Sequence, residues 1–364
     1  MIIKDVTSYL ESLAPLQTQA SFDNCGLIVG DDSNEVTGII SCLDCMEEVV
    51  DEAIRKGCNL IIAHHPIVFK GLKKITGKNY IERTIIKAIQ HNISIYAIHT
   101  NLDHYRFGVN YEIGQRLGLS NLQILDPVQG TLLKLICHVP EENKEIVLNA
   151  MFNAGAGEIG NYSECSFENK GIGKYTPNEF SNPHDGEIGK KSIVNEFKIE
   201  VLVPEFAIQK VIADMKRVHP YEEVAYDIIR LENKNQFEGS GMVGELKSPE
   251  DEKQFLQIVK EVFKCGVIRH TNLLNKKISK VAFCGGSGSF LLSKAKQVGA
   301  DIFITGDYKY HDFFDAENQI VIADIGHFES EQYTINLIAD ILMKKFPTFV
   351  VHLTEVNTNP INYF

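Results

Sequence analysis

Residues 38–66 read GIISCLDCMEEVVDEAIRKGCNLIIAHHP, and the fold class turns on this stretch. Gly38–Leu43 is a short apolar run. From Met46 to Lys56 the apolar residues fall at 46, 49, 50, 53 and 54, the spacing of one helical face. Gly57 follows where helices commonly stop, because a residue without Cβ enters the left-handed region freely. Asn59–Ala63 is almost wholly apolar, as a strand buried on both faces must be. Ile81–Gln90 then reads as a second helix and Ile93–Ile98 as a further strand. Strand and helix in alternation predict an α/β domain.

Downstream the texture changes and then returns. Leu132–Val139 reads as a strand and Glu141–Asn153 as a helix. Gly155–Gly189 is rich in Gly, Asn, Ser and Pro. Ser192–Val203 is a strand, Glu205–Val218 a helix and Val224–Leu231 a strand. Two β-α-β passages predict a ferredoxin-like α+β domain. After 250 the buried-strand texture resumes at Lys280–Cys284, Ile302–Thr305 and Ile320–Ala323. We therefore expect residues 1–128 and 236–364 to be two halves of one α/β domain, interrupted by an insert over 129–235. A weak internal repeat agrees. Cys42 and Gly57 are separated as Cys284 and Gly299 are, and an apolar run follows each glycine. His99 and Asp103 form a His-x-x-x-acid unit behind a strand, as do His327 and Glu331.

Composition excludes several classes. The 364 residues are 44% hydrophobic and 23% charged, ordinary for globular domains. A net charge of −12 opposes non-specific binding to nucleic acid or to an anionic membrane, which need basic patches. No apolar run approaches the roughly 18 residues of a membrane span. The N-terminal MIIKDVTSYLESLAP reads as a short amphipathic helix rather than a signal peptide. The eight cysteines are scattered, so we expect reduced thiols and a cytoplasmic protein. The lone pair Cys42-x-x-Cys45 reads as core packing.

The chemistry-bearing residues gather at predicted strand ends, where ligands bind in open α/β sheets. His64 and His65, before Pro66, are either metal ligands or a hydrogen-bonded strand cap. Consecutive ligands suit two nearby ions better than one. His99-Thr100-Asn101-Leu102-Asp103-His104 offers Asp103 as a carboxylate ligand or as a turn-forming aspartate. Gly326-His327-Phe328-Glu329-Ser330-Glu331 places His327 and Glu331 on one helical face; the alternative is an acidic residue favouring a helix N-terminus. Three strand ends, expected on one edge of one sheet, thus supply histidines and carboxylates suited to zinc, iron, manganese, nickel or cobalt. Cys284–Ser289 is a glycine-rich strand-to-helix turn, either a cradle for an anion or simply a tight turn. Asp307 and His311, in Thr305–Asp312, are candidates for acid–base work. His219-Pro220-Tyr221-Glu222-Glu223 reads as a turn, with a lid contact as the alternative.

Five segments together resemble the Nif-three-like family, the type-two homologues of GTP cyclohydrolase I. They are Asp23–Gly30, Ala63–Phe69, His99–Asp103, Thr305–Asp312 and Gly326–Glu331, in family order across almost the whole chain. The middle segment, with His219-Pro220-Tyr221-Glu222, resembles the PII- and CutA-like insert of the longer bacterial members. One departure is Phe22, where the family often has Trp; we expect it to affect packing rather than chemistry. The resemblance implies two divalent metal ions per chain, held by His64, His65, Asp103, His327 and Glu331, with Asp103 or Glu331 bridging and His99 nearby. It also implies a homohexamer built as a trimer of dimers. The activity to expect is a metal-dependent hydrolase that attacks a nucleotide-like or phosphorylated small molecule with a metal-bridged water. The competing expectation is a non-enzymatic metal-binding or metal-delivery protein, or a regulatory assembly sensing through the insert.

Overall fold

The computed structural model describes residues 1–364. The chain divides into one unit of Met1–Pro127 with Phe237–Phe364, and a second of Val128–Gln236. The N-terminal amphipathic stretch is a helix, Ile3–Leu13, burying Ile3, Val6 and Leu10.

The first unit begins with β1 (Gly26–Val29), β2 (Ile39–Asp44), β3 (Leu60–His65) and β4 (Ser94–Ala97). Helix Glu47–Lys56 joins β2 to β3. Acidic Glu47 and Glu48 occupy its first turn and Arg55 and Lys56 its last, which favours the helix dipole at both ends. It ends at Gly57 with φ +68°. Helix Tyr80–Gln90 joins β3 to β4, with Asn79 accepting the Glu82 amide as its N-cap. β2, β3 and β4 are parallel neighbours. β5 (Ser120–Gln129) then leads toward the second unit.

The second unit contains β6 (Leu132–Pro140), β7 (Ser166–Tyr175), β8 (Ser192–Pro204) and β9 (Tyr226–Leu231), in sheet order β7-β8-β6-β9 with antiparallel neighbours. Helices Lys144–Asn153 and Ile208–Val218 follow β6 and β8. The connectivity is β-α-β-β-α-β. Leu135, Cys137, Val147, Met151, Val201, Val211 and Met215 belong to its core. Strand β7 corrects the sequence reading, which left Gly155–Gly189 without a strand. Its sequence, SFENKGIGKY, is mostly exposed and carries little apolar periodicity, so its order comes from ten residues of pairing with β8.

The chain returns through β10 (Lys234–Asp251), then β11 (Arg269–His270), β12 (Lys277–Ser287), β13 (Ile302–Gly306), β14 (Val321–Asp324) and β15 (Val351–Leu353). β12, β13 and β14 are parallel neighbours, repeating the trio of the first half. β15 crosses to pair in parallel with β2. The unit therefore holds two sheets, β1-β4-β3-β2-β15 and β11-β14-β13-β12-β10-β5.

Side-chain alternation explains the apolar runs. Leu60, Ile62 and Tyr96 from the first sheet share one core with Val281, Phe283, Ile302 and Ile304 from the second. Ile61, Ala63 and Ile95 face a separate core with Val49, Val50, Ala53, Cys42, Cys45 and Cys58. Each central strand is thus buried on both faces, and Cys42 and Cys45 pack as core residues. A third cluster, including Ala282, Leu291, Phe303 and Ile322, lies against the second sheet. The expectation of a single sheet edge is overturned: β3 and β4 end in one sheet and β14 in another. A local hydropathy pattern reports that a strand is buried, not which sheet it joins.

Candidate metal centre

Three strand ends supply the cluster. β3 ends on His64 and His65, helix Thr100–His104 after β4 carries Asp103, and helix His327–Glu331 after β14 carries His327 and Glu331. The approach to the last helix is fixed by buried Asp324, which accepts the amides of Gly326 (3.0 Å) and Tyr308 (2.9 Å). One carboxylate therefore ties the loops after β13 and β14.

Each histidine is held from behind through Nδ1. His64 Nδ1 lies 2.8 Å from the Ile98 carbonyl, His65 Nδ1 2.9 Å from Asp44 Oδ1, His327 Nδ1 2.7 Å from Asp307 Oδ2, and His99 Nδ1 3.0 Å from Asp23 Oδ1. A carbonyl or carboxylate there selects the Nδ1–H tautomer and leaves the Nε2 lone pair free, which is the usual support of a metal-ligating histidine. The rings converge: the centroids of His64 and His65 are 4.9 Å apart, and those of His65 and His327 5.3 Å.

The front of the cluster is short of hydrogen bonds. His64 Nε2, Asp103 Oδ1 and Glu331 Oε2 are buried and lack a hydrogen-bond partner. Glu331 Oε2 sits 3.1 Å from His65 Nε2 and 3.0 Å from His327 Nε2 without hydrogen-bond alignment. His64 Nε2 is 3.6 Å from Asp103 Oδ1 and 4.0 Å from Glu331 Oε1. An unsatisfied buried polar atom costs about 1–3 kcal/mol, and three in one place suit a cation. The donors form the sets His65–His327–Glu331, His64–Asp103–Glu331 and His64–His65–His99, each with its ligand atoms within 4.8 Å of one another. These buried groups can take a metal ion.

Without metal the cluster's field acts on protons. Burial lowers His64 to about 3 despite the opposing charge of Glu331. Burial also lowers His65, but Asp44 and Glu331 outweigh it and push the ring up to about 10. In His327, Asp307 and Glu331 likewise overcome burial and push it up to about 11. Asp103 is raised to about 7 by burial and then by the Glu331 charge. Burial would raise Glu331, yet His327 and His65 hold it well below the usual carboxylate range.

Of the two readings of the glycine stretch after Cys284, the hydrogen bonds favour the tight turn over the anion cradle. The Gly285 amide goes to Asn110 Oδ1, that of Gly286 to Ser330 Oγ and that of Gly288 to Thr305 Oγ1, at 2.9–3.0 Å. The backbone is spent on bracing the site. Gly286 has φ +61°, and a Cβ there would stand 2.4 Å from Glu331 Oε1. The glycine is needed because the carboxylate occupies that space.

Above the cluster opens a cavity of about 1280 Å³ lined by His65, Asp103, His327 and Glu331 together with Phe69, Tyr80, Phe290 and Phe328. Exposed Lys70, Lys73 and Lys74 also line it. Phe22, expected to affect packing, is 71% exposed and lines the same cavity.

The structure brings His64, His65, Asp103, His327 and Glu331 together, with His99 beside them and Asp307 on His327. It does not bring His311 there: that ring stacks on Phe314 and meets Tyr310 edge-on in the exposed segment Tyr310–Ala316. Asp44 escaped sequence reasoning, and Asp23 entered it only as the first residue of the matched segment Asp23–Gly30, with no role assigned. Their roles exist only through contacts with distant histidines. In the second unit, His219 is buried with Nε2 on the His138 carbonyl at 3.0 Å, and its Nδ1 accepts the Tyr221 amide. His219-Pro220-Tyr221 is thus a braced turn.

Two sheets whose strand ends converge on a buried histidine–carboxylate cluster define an α/β protein with a site able to take a metal ion. The chain belongs to the Duf34/NIF3 (NGG1p interacting factor 3) family, whose model it matches over residues 1–360. A Staphylococcus aureus (strain MSSA476) protein named GTP cyclohydrolase 1 type 2 homolog is 35% identical over 368 residues, covering 100% of both chains. The Bacillus subtilis (strain 168) protein of the same name is 36% identical over 99% of this chain and 98% of its own. Among solved structures, a Bacillus cereus protein related to NIF3 superposes with TM-score 0.87 at 36% identity, over 100% of this chain and 99% of its own. No helix of the chain is long and apolar enough to cross a membrane, and all eight cysteines are free.

Proposed function

We propose that this chain binds two divalent metal ions and acts as a metal-dependent hydrolase on an anionic, nucleotide-like or phosphorylated small molecule. One observation carries the reading: buried His64 Nε2, Asp103 Oδ1 and Glu331 Oε2 face one another without hydrogen-bond partners, while the rings of His64, His65 and His327 are braced from behind. The donors divide into His65–His327–Glu331 and His64–Asp103–Glu331. Because both sets include Glu331, it, rather than Asp103, would be the carboxylate shared between two ions. The mixed donors fit zinc, iron, manganese, nickel or cobalt. Two such ions would polarise a substrate oxygen and bring the pKa of a bound water near neutrality.

The chain's own residues supply the remainder. Asp44, Asp307 and Asp23 hold the rings in register. His99, backed by Asp23 and beside His64 and His65, is the group suited to pass a proton between cavity and cluster. Phe69, Tyr80 and Phe290 offer ring faces to a planar substrate, and Lys70, Lys73 and Lys74 attract its anionic group. The name carried by the relatives, with its GTP, agrees with such a substrate.

A second reading rests on the insert. The β-α-β-β-α-β connectivity of Val128–Gln236 supports a ferredoxin-like domain of PII or CutA type. In that reading the protein is a non-enzymatic metal-binding, metal-delivering or regulatory assembly, and the homohexamer expected from the family belongs to either account.

Elemental mass spectrometry on untagged protein, beside a folded His64→Ala/Glu331→Ala double variant, tests the proposal. The expected result is about two divalent ions per chain, lost in the variant, with metal-dependent turnover of a nucleotide or phosphoester. Protein that is metal-free and cannot be reloaded sinks it. Full metal without turnover across a broad substrate panel moves the conclusion to the second reading.

A further inference from the structure

Beyond β15 the chain has no regular structure, yet it is pinned at successive points. Thr354 Oγ1 donates to the buried carboxylate of Glu52 (Oε2, 2.6 Å), and the Glu355 amide donates to its Oε1 at 3.1 Å. Thr358 Oγ1 then donates to Asp44 Oδ2 at 2.9 Å, and Asn359 Nδ2 donates to Glu329 Oε1 at 3.2 Å. Both acceptors are tied to the metal cluster. Asp44 is the carboxylate behind His65, and Glu329 stands between His327 and Glu331 on their short helix. Asn359, Pro360 and Ile361 continue along the cavity wall. One segment therefore holds both the carboxylate behind His65 and the helix that bears His327 and Glu331.

We propose that the segment Thr354–Ile361 is a strap that sets the geometry of the metal centre, with Thr358 the positioning residue for His65. The inference rests on the reading of His65 as a ligand. Asp44 uses Oδ1 for the His65 ring and Oδ2 for the Thr358 hydroxyl. With both oxygens engaged the carboxylate cannot rotate about its Cβ–Cγ bond, and the imidazole it holds keeps its aim. Removing the hydroxyl frees Oδ2, so the ring's tilt is no longer fixed before the ion arrives. Orientation of this kind is what distant partners of metal ligands supply. Asn359 acts in parallel on the helix bearing His327 and Glu331.

The test uses the full chain, stripped and reloaded with cobalt(II). Affinity is read by competition with a chromophoric chelator, and ligand geometry by the d–d absorption. Thr358→Val removes the hydroxyl at nearly constant volume. We expect one of the two ions to be held about tenfold more weakly, the lower end of the roughly 10- to 100-fold span for such partners. Its d–d band should change, the other ion should be unaffected, and Thr358→Ser should restore both readouts. The melting temperature of the metal-free protein separates this from a purely structural role: a large drop in Thr358→Val, with both ions lost equally, overturns the proposal. So does an unchanged or tighter cobalt affinity in Thr358→Val, or an equal loss in Thr358→Ser. Wild-type protein that takes up no cobalt defeats the metal reading itself, whereas wild-type uptake of two ions with an indifferent Thr358→Val defeats only the strap.

Discussion

At the scale of single residues, the centre depends on what stands behind the histidines as much as on the histidines. His65 and His327 each lean on a carboxylate, and both rings carry raised pKa values because Asp44, Asp307 and Glu331 surround them. Asp307 is itself unusual: its φ is +54°, a region costly for most side chains but tolerated by Asp and Asn, and this turns its carboxylate onto the His327 ring. Hydrogen bonding to His327 in turn lowers the Asp307 pKa. Asp307→Asn keeps the backbone conformation and removes the charge. It should weaken binding of the ion at His327 by roughly tenfold or more, as isothermal titration of reloaded protein would measure. Equal affinities in the two proteins would show that Asp307 only fills space.

The scale of elements explains why ligands so distant in sequence converge. β3, β4 and β14 all end near the cluster, and the glycine-rich end of β12 is shaped around it. Gly286 shows how tightly, since its missing side chain is where the Glu331 carboxylate lies. Gly286→Ala should push Glu331 aside and, because that residue appears in two of the donor sets, cost both ions rather than one. Metal stoichiometry by mass spectrometry beside circular dichroism distinguishes this from misfolding. A folded variant retaining both ions would remove Glu331 from its shared role. The elements themselves were legible where burial was complete: Ile39–Asp44, Leu60–His65 and Glu47–Lys56 carry apolar runs or helical spacing that solvent exclusion requires. β7 was not, because an exposed edge strand needs only backbone pairing. β5 and β10 were not read either, since exposed positions interrupt β5 and exposed and glycine positions interrupt β10.

Over the whole molecule, separate cores argue for separate stabilities. The second unit packs Leu135, Val139, Val201 and Met215 among its own residues. Leu135 is fully buried, so Leu135→Ala should destabilise this unit by about 2–5 kcal/mol. We expect faster amide exchange confined to Val128–Gln236, with metal content unchanged. Loss of metal in that variant would mean that the two units stand or fall together.

The sequence by itself determined the alternation of strands and helices and the interruption near residue 130, and it put His64, His65, Asp103, His327 and Glu331 forward as candidates, which the family resemblance joined into one set. Those features follow from local rules, because side-chain period and turn chemistry act over a few neighbouring residues, and the ligand types stand at strand ends where backbone direction changes. Tertiary structure alone decided that two sheets rather than one supply the ligands, that Asp44, Asp307 and Asp23 aim the rings, and that the cysteine-glycine turn braces the site instead of cradling an anion. It also decided that the C-terminal strap reaches back to Asp44 and Glu329. These depend on contacts between residues far apart in the chain, whose free energy is set by packing and desolvation at the meeting point, and no local pattern encodes where that point will be.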